Sequence, residues 1–115
     1  MQLTISAEEK QGVTVLALDG RVVLGEECES LRGKIQELLA GKRPNIVLNL
    51  ESVSRIDSTG IGALVEAVIL AAREGGRLKL ANVPRLINNI LITHRLLQAF
   101  EIYGSVDEAL DSFPQ

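Results

Sequence analysis

The stretch that decides the fold runs from Ile46 to Gly76 and reads IVLNLESVSRIDSTGIGALVEAVILAAREGG. It opens with an apolar run, Ile46 to Leu50, which predicts one buried strand. A short polar crossing follows, and a helical pattern from Ala63 to Glu74 ends at a pair of glycines. The order is therefore strand, tight turn and helix, with the hydroxyls of Ser58 and Thr59 placed where the helix must start.

The turn from Asp57 to Gly62 is the candidate functional site. The first N–H groups of a helix are unpaired and carry partial positive charge, so phosphate is stabilised there. Serine and threonine are favoured N-caps, and we expect Ser58 or Thr59 to cap the helix. A phosphate on Ser58 would add about −1.5 to −2 charge beside Asp57 and would change partner binding without refolding the domain. Gly60 and Gly62 alone do not make a nucleotide-binding loop, which needs a longer glycine-rich pattern and a lysine.

The flanking patterns predict an α/β domain with a mixed, mostly parallel sheet. Alternating and β-branched runs predict further strands at Leu3 to Lys10, Val13 to Leu18, Arg77 to Ala81 and Phe100 to Tyr103. Helical spacing and end signals predict helices at Glu26 to Ala40, from Pro84 onward, and at Val106 to Phe113 with Ser105 as N-cap. We expect Asp19 and Gly20 to close the second strand. Crossover connections then require parallel pairing after an initial antiparallel hairpin.

The central helix offers a broad apolar face. We expect it to pack on the sheet through Ile61, Leu64, Val65, Val68, Ile69 and Ala72. A well-buried helix is the favoured interpretation, and the alternative is that part of this surface docks another protein.

Composition excludes several classes of function. The chain has 115 residues, and we expect a single domain over 1–115. Its net charge is −3 and its aromatic content 3%, which disfavour nucleic acid and anionic membranes as partners. One cysteine, Cys28, and one histidine, His94, form neither an intrachain disulfide nor a zinc site, so we predict no metal and no cofactor. The N-terminus lacks signal-peptide features and no apolar run approaches the roughly 20 residues of a membrane helix, so we expect a cytoplasmic protein without membrane insertion.

Catalysis is not predicted. A hydrolytic pair of Ser58 and His94 is conceivable, but the chain lacks the Gly-x-Ser-x-Gly pattern of a nucleophile elbow. The residues from Asp57 to Gly60 also look superficially like an aspartic-protease loop, yet such a site needs a second carboxylate that shares a proton, and no second loop of this kind occurs. We therefore predict no catalytic residue.

The run from Leu48 to Gly62, LNLESVSRIDSTGIG, resembles the STAS domain of anti-sigma factor antagonists. The segments Gly75 to Leu78 and Phe100 to Leu110 are similar to the same family. The resemblance implies a single STAS-type domain in which about four helices pack on the sheet. It also implies partner switching, in which the unmodified protein binds an anti-sigma factor that is itself a serine kinase and so releases the sigma factor. Phosphorylation by that kinase ends binding, and a PPM-type phosphatase restores it.

Carried over to this chain, the resemblance makes Ser58 the phosphate acceptor, with Thr59 as an open alternative. It places partner binding at Val23, Asp57, Ser58, Thr59, Gly60, Ile61 and Gly62. Val23 stands where many members of the family have an acidic residue, and the segment from Thr93 to Leu97 lacks a glycine often found there. ATP and Mg²⁺ would belong to the kinase. An alternative function is a STAS module outside transcription, such as the cytosolic subunit of a lipid-transport ABC complex, and a homodimer stays open.

Overall fold

Five strands form one sheet in a computed structural model that describes residues 1–114. Gln115, the last residue of the expected domain, lies outside the described residues. The strands are β1 Leu3–Lys10, β2 Val13–Val22, β3 Ile46–Ile56, β4 Leu78–Ala81 and β5 Ile102–Tyr103. The helices are α1 Glu26–Ala40, α2 Ser58–Arg73, α3 Arg85–Thr93 and α4 Val106–Asp111, and a 3₁₀ turn spans Leu97–Ala99. The predicted α/β fold with four helices is confirmed.

The strands lie in the order β1-β2-β3-β4-β5, with β1 antiparallel to β2 and all later pairs parallel. Successive side chains of a strand face opposite sides of a sheet. Leu16 and Leu18 of β2 accordingly join a large aliphatic core with α1, α2 and α3. Val13 and Val15 face the other side and join a smaller core with α4. The carboxyl ends of β2 and β3 meet at one edge of the sheet, and α2 starts there.

Two strands are longer than the sequence predicted. The predicted close of β2 at Asp19 and Gly20 is wrong, because β2 continues to Val22. Likewise β3 does not end at Leu50 but runs through the polar crossing to Ile56. The pairing of β2 with β3 shifts register between Ala17 and Asp19 and again after Gly20, so β3 carries extra residues there. A bulge interrupts the alternation of buried and exposed side chains along a strand. The sequence pattern therefore did not show that the strands continue beyond the bulges.

The apolar face of α2 is only partly as predicted. Ile61 and Leu64 are buried, but the side chain of Ile69 is 47% exposed and Ala72 is exposed as well. The residues that pack against the core are mostly small, namely Gly60, Ala63, Ala67 and Ala71. Small side chains let the helix axis approach the sheet closely, and Ile61 and Leu64 are the larger apolar residues that join them in the core.

Three helices end in the same backbone motif. In each, the N–H two residues past the C-cap bonds to a carbonyl five residues earlier, and the residue between adopts a left-handed conformation. After α2 that residue is Gly75, the residue type usually found there. After α1, whose C-cap is Gly41, it is Lys42, and after α3 it is Arg95 with φ of 57°. The end of α3 is therefore well defined although it lacks a glycine.

Candidate functional site

Asp57 caps α2 and connects it to the loop after β2. Its Oδ1 accepts a hydrogen bond from the N–H of Gly60 at 2.8 Å, and its Oδ2 accepts one from the N–H of Leu24 at 2.9 Å. The predicted cap, Ser58 or Thr59, is therefore wrong by one residue, because the aspartate outcompetes both hydroxyls for the free N–H groups. One carboxylate thus fixes both the start of the helix and the neighbouring loop.

The same two donors set the charge state of this residue. The backbone N–H of Leu24, followed by that of Gly60, stabilises the carboxylate and holds the pKa of Asp57 below its usual value of 3.8. Partial burial acts in the opposite direction and is outweighed. Asp57 is therefore an anion at neutral pH, with both oxygens engaged by backbone donors.

Ser58 is the first residue of α2, and its side chain is exposed. None of the hydrogen bonds formed within residues 1–114 uses its hydroxyl. Because Asp57 does the capping, the hydroxyl is left facing solvent beside the positive end of the helix dipole. Such a group is accessible to a modifying enzyme and costs the fold little when it is changed.

The two glycines of the turn differ in their surroundings. A Cβ atom at Gly60 would overlap the carbonyl oxygen of Val22 and would lie 2.7 Å from Cγ1 of Ile56, so α2 can approach the strand ends only with glycine there. At Gly62 a Cβ would meet no atom of residues 1–114 within 4 Å. Close packing against the strand ends therefore explains the glycine at position 60 and does not explain the one at position 62. Gly62 instead leaves open surface next to Ser58.

An open apolar groove of about 560 Å³ lies between the start of α2 and the end of α3. Its lining consists of Ile56, Asp57, Ser58, Ile61, Gly62, Val65, Ile90, His94 and Leu96. At the neighbouring loop the side chain of Leu24 is 72% exposed. The free hydroxyl of Ser58 is thus surrounded by accessible apolar surface, which is the composition of a protein-binding patch rather than of a solvated helix end.

The structure brings the predicted partner-binding residues together at one edge of the sheet. Ser58 and Gly62 are exposed, and Val23, Asp57 and Thr59 are half-buried. Gly60 and Ile61 are buried and shape the surface from beneath. Sequence reasoning missed the contribution of α3, namely Ile90, His94 and Leu96, because the crossing of α2 and α3 has no local signature. Leu24, in the short segment between β2 and α1, also lies beside this surface, because its N–H bonds to Asp57.

Other kinds of site find little support in the described part of the chain. Within residues 1–114 no cluster of three or more histidine, cysteine, aspartate or glutamate side chains is placed to share a metal ion. None of the helices in this range has the length and apolarity needed to cross a membrane.

Comparison with known proteins agrees with this geometry. The family model of the STAS domain matches residues 4–109. A relative in Paenibacillus polymyxa, an anti-sigma F factor antagonist, is 25% identical over 111 residues, which cover 96% of this chain and 94% of the relative.

Solved structures share the fold. A candidate anti-sigma factor antagonist of Thermotoga maritima superposes with a TM-score of 0.86 at 21% identity, covering 93% of this chain and 92% of that one. SpoIIAA, a Bacillus cell fate determinant solved in its phosphorylated form, superposes with a TM-score of 0.73 at 22% identity, covering 94% of this chain and 97% of that one. The murine anion transporter Slc26a9 contains the same fold, with a TM-score of 0.69 at 21% identity over 90% of this chain but only 18% of the transporter. The family model matches nearly the whole chain, and this identifies the chain as a member of the STAS domain family.

Proposed function

We propose that this chain is an anti-sigma factor antagonist that works by partner switching in the cytoplasm. In its unmodified form it binds an anti-sigma factor that is a serine kinase, and the sigma factor is released. The kinase then transfers the γ-phosphoryl group of ATP to the oxygen of Ser58, whose proton is lost, and ADP leaves. A PPM-type phosphatase hydrolyses the phosphate ester and restores the binding form.

The observation that carries this proposal is the free, exposed hydroxyl of Ser58 beside an apolar groove. A kinase must reach its acceptor oxygen, and no hydrogen bond within residues 1–114 has to be broken to release this one. The anti-sigma F factor antagonist of Paenibacillus polymyxa and the phosphorylated form of SpoIIAA support the same assignment by analogy.

Charge explains why a phosphate at this position would switch binding. Two negative charges introduced at the centre of an apolar contact must be desolvated when the partner docks, and they lie next to the carboxylate of Asp57. Leu24, the groove and the segment around Val23 would supply the apolar contacts that bind in the unmodified state. The fold itself needs no change, because the phosphate sits at a helix N-terminus that favours it.

A binding experiment tests the proposal. We expect Ser58→Ala to bind a serine-kinase anti-sigma factor from the same genome as tightly as the parent protein. Ser58→Asp should bind about 10- to 100-fold more weakly, because like charge and desolvation cost about 1.4 to 2.7 kcal/mol at the contact. Asn89→Asp is the matched control, since it adds the same charge at an exposed position of α3 outside the groove lining and should leave the affinity unchanged. Equal affinity of Ser58→Ala and Ser58→Asp would contradict partner switching.

Two other classes predict different results. A STAS module of a lipid-transport ABC complex would co-purify with that complex and carry no phosphate on Ser58. A hydrolase would lose turnover in both Ser58→Ala and His94→Ala. The hydrolase is disfavoured because Asp57, the carboxylate nearest to the pair in sequence, already binds two backbone N–H groups and has no oxygen free to orient His94.

A further inference from the structure

The single histidine of the chain lies at the end of α3, in a position fixed by the backbone. His94 is the C-cap of that helix, and its N–H bonds to the carbonyl of Ile90 at 3.0 Å. The next turn is closed by hydrogen bonds from Arg95 to Ile92 at 3.0 Å and from Leu96 to Leu91 at 2.7 Å. Leu96 packs against the main core and lines the groove. The main chain thus places His94 at the wall of the groove that faces the start of α2.

Ser58 and His94 line the same groove from opposite elements. Among the lining residues, Asp57 and His94 are the ones that ionise, and the other side chains from β3, α2 and α3 are apolar, hydroxylic or glycine. Asp57 is already satisfied by the N–H groups of Leu24 and Gly60. Arg95 follows His94 in the chain, is exposed, and is not part of the lining. Among the residues that line the groove, His94 is therefore the side chain that can carry a positive charge opposite a phosphate on Ser58.

We propose that His94 binds the phosphate on Ser58, so that phosphorylation bridges the groove between α2 and α3 and closes it to the partner. This inference rests on the proposed function, because it requires a phosphate at Ser58. It adds to that function a residue of the chain itself that recognises the phosphate. A phosphate offers three acceptor oxygens, and a protonated imidazole donates a hydrogen bond to one of them.

The bridge has a physical consequence for binding. An open apolar groove can accept an apolar side chain of the partner, and a charged pair across it cannot. The pair needs a protonated imidazole, and it is strongest when the phosphate is a dianion. Asp57 faces the phosphate from the β3–α2 junction and repels it, because the lowered pKa of Asp57 keeps its carboxylate ionised at neutral pH.

The test uses the full chain with phosphoserine introduced at position 58 during translation, so that no kinase is needed. The second ionisation of the phosphate is followed by ³¹P NMR as a function of pH. A cation at the phosphate favours the dianion, so the titration midpoint should lie about 0.2–0.7 pH units lower in the parent protein than in His94→Gln, the size expected for an exposed ion pair. Because the chain has one histidine, its ring proton signals are also unambiguous and should move when Ser58 carries phosphate.

Arg95→Gln is the matched control, since it removes a neighbouring positive charge while keeping a side chain in the left-handed conformation. It should leave the midpoint where it is in the parent protein. Equal midpoints in the parent and in His94→Gln would overturn the inference, and so would a rise confined to Arg95→Gln. Failure of a kinase to modify Ser58 would instead refute the proposed function, and it would not affect this measurement.

Discussion

A serine stands at the start of two helices of this domain, as the N-cap of α4 and as the first residue of α2, and its role differs between them. At the start of α4, Ser105 is the cap, and its hydroxyl accepts a hydrogen bond from the N–H of Glu108 at 3.1 Å. The carboxylate of Glu108 reaches back to the N–H of Gly104 at 3.0 Å, which closes the turn from both sides. At the start of α2, Asp57 is the cap, and Ser58 follows it with an exposed hydroxyl that no residue of 1–114 engages.

The difference lies in what each serine hydroxyl does: that of Ser105 stabilises the turn before α4, and that of Ser58 is accessible for modification. A cap hydroxyl contributes to the stability of its helix, so a phosphate on it would cost a hydrogen bond. In α2 the cap is Asp57, which stabilises the helix. The hydroxyl of Ser58 can therefore be modified without the loss of a capping hydrogen bond. The same aspartate also connects the exposed segment at Leu24 to the start of the helix through a hydrogen bond.

The largest expected effect is at the cap of α2. We expect Asp57→Ala to lower the free energy of unfolding by about 2 kcal/mol, because it removes two charge-assisted hydrogen bonds and leaves the N–H groups of Leu24 and Gly60 without a partner. Urea denaturation measures the change. A loss no larger than that of Ser58→Ala would show that the carboxylate does not hold this turn.

A smaller change in the free energy of unfolding is expected when either serine is replaced. Ser105→Ala should lower this free energy by about 1 kcal/mol, since it removes the side chain that caps α4. Ser58→Ala should stay within about 0.5 kcal/mol of the parent protein, as is usual for an exposed side chain without partners. Denaturation of both variants under one set of conditions tests the comparison directly, and equal losses would mean that the hydroxyl of Ser58 is engaged after all.

The smallest effect concerns pH. Since the pKa of Asp57 is lower in the folded chain than its usual value of 3.8, the carboxylate contributes its full stability above that value and loses it as the pH falls through the lowered pKa. Asp57→Asn keeps one acceptor oxygen and does not titrate. We therefore expect the difference in melting temperature between the parent and Asp57→Asn to be constant from pH 7 to 5 and to narrow below pH 4. A difference in melting temperature that stays constant down to pH 2 would show that the protonation of Asp57 does not affect stability.

The parts of the structure that the sequence predicted well depend on local signals. The bounds of α1 and the capping of α4 by Ser105 follow from residue types a few positions apart, and both are confirmed. The STAS fold and the chain order of its elements are confirmed as well. The end of β3 was wrong because extra residues in the pairing with β2 hide the strand period, and the cap of α2 was wrong because two kinds of capping residue stand side by side.

The groove could not be predicted in this way. It exists because small residues draw α2 close to the sheet and because α3 ends opposite Ser58, and both depend on packing between distant parts of the chain. Val65 and Ile90 look like core residues in the sequence, yet both line this surface. His94 looked isolated for the same reason. The sequence pattern pointed to Ser58, the proposed phosphate acceptor, while the groove around it became visible only in the tertiary structure.

The most direct test of the account is to map the phosphate. The full chain is incubated with ATP, Mg²⁺ and a serine-kinase anti-sigma factor from the same genome, and the modified residue is located by mass spectrometry in the parent protein and in Ser58→Ala, Thr59→Ala and Ser105→Ala. We predict one phosphate, on Ser58, in every protein except Ser58→Ala. Phosphate that persists in Ser58→Ala, or its loss in Thr59→Ala alone, would contradict the claim that Asp57 leaves Ser58 free for this modification.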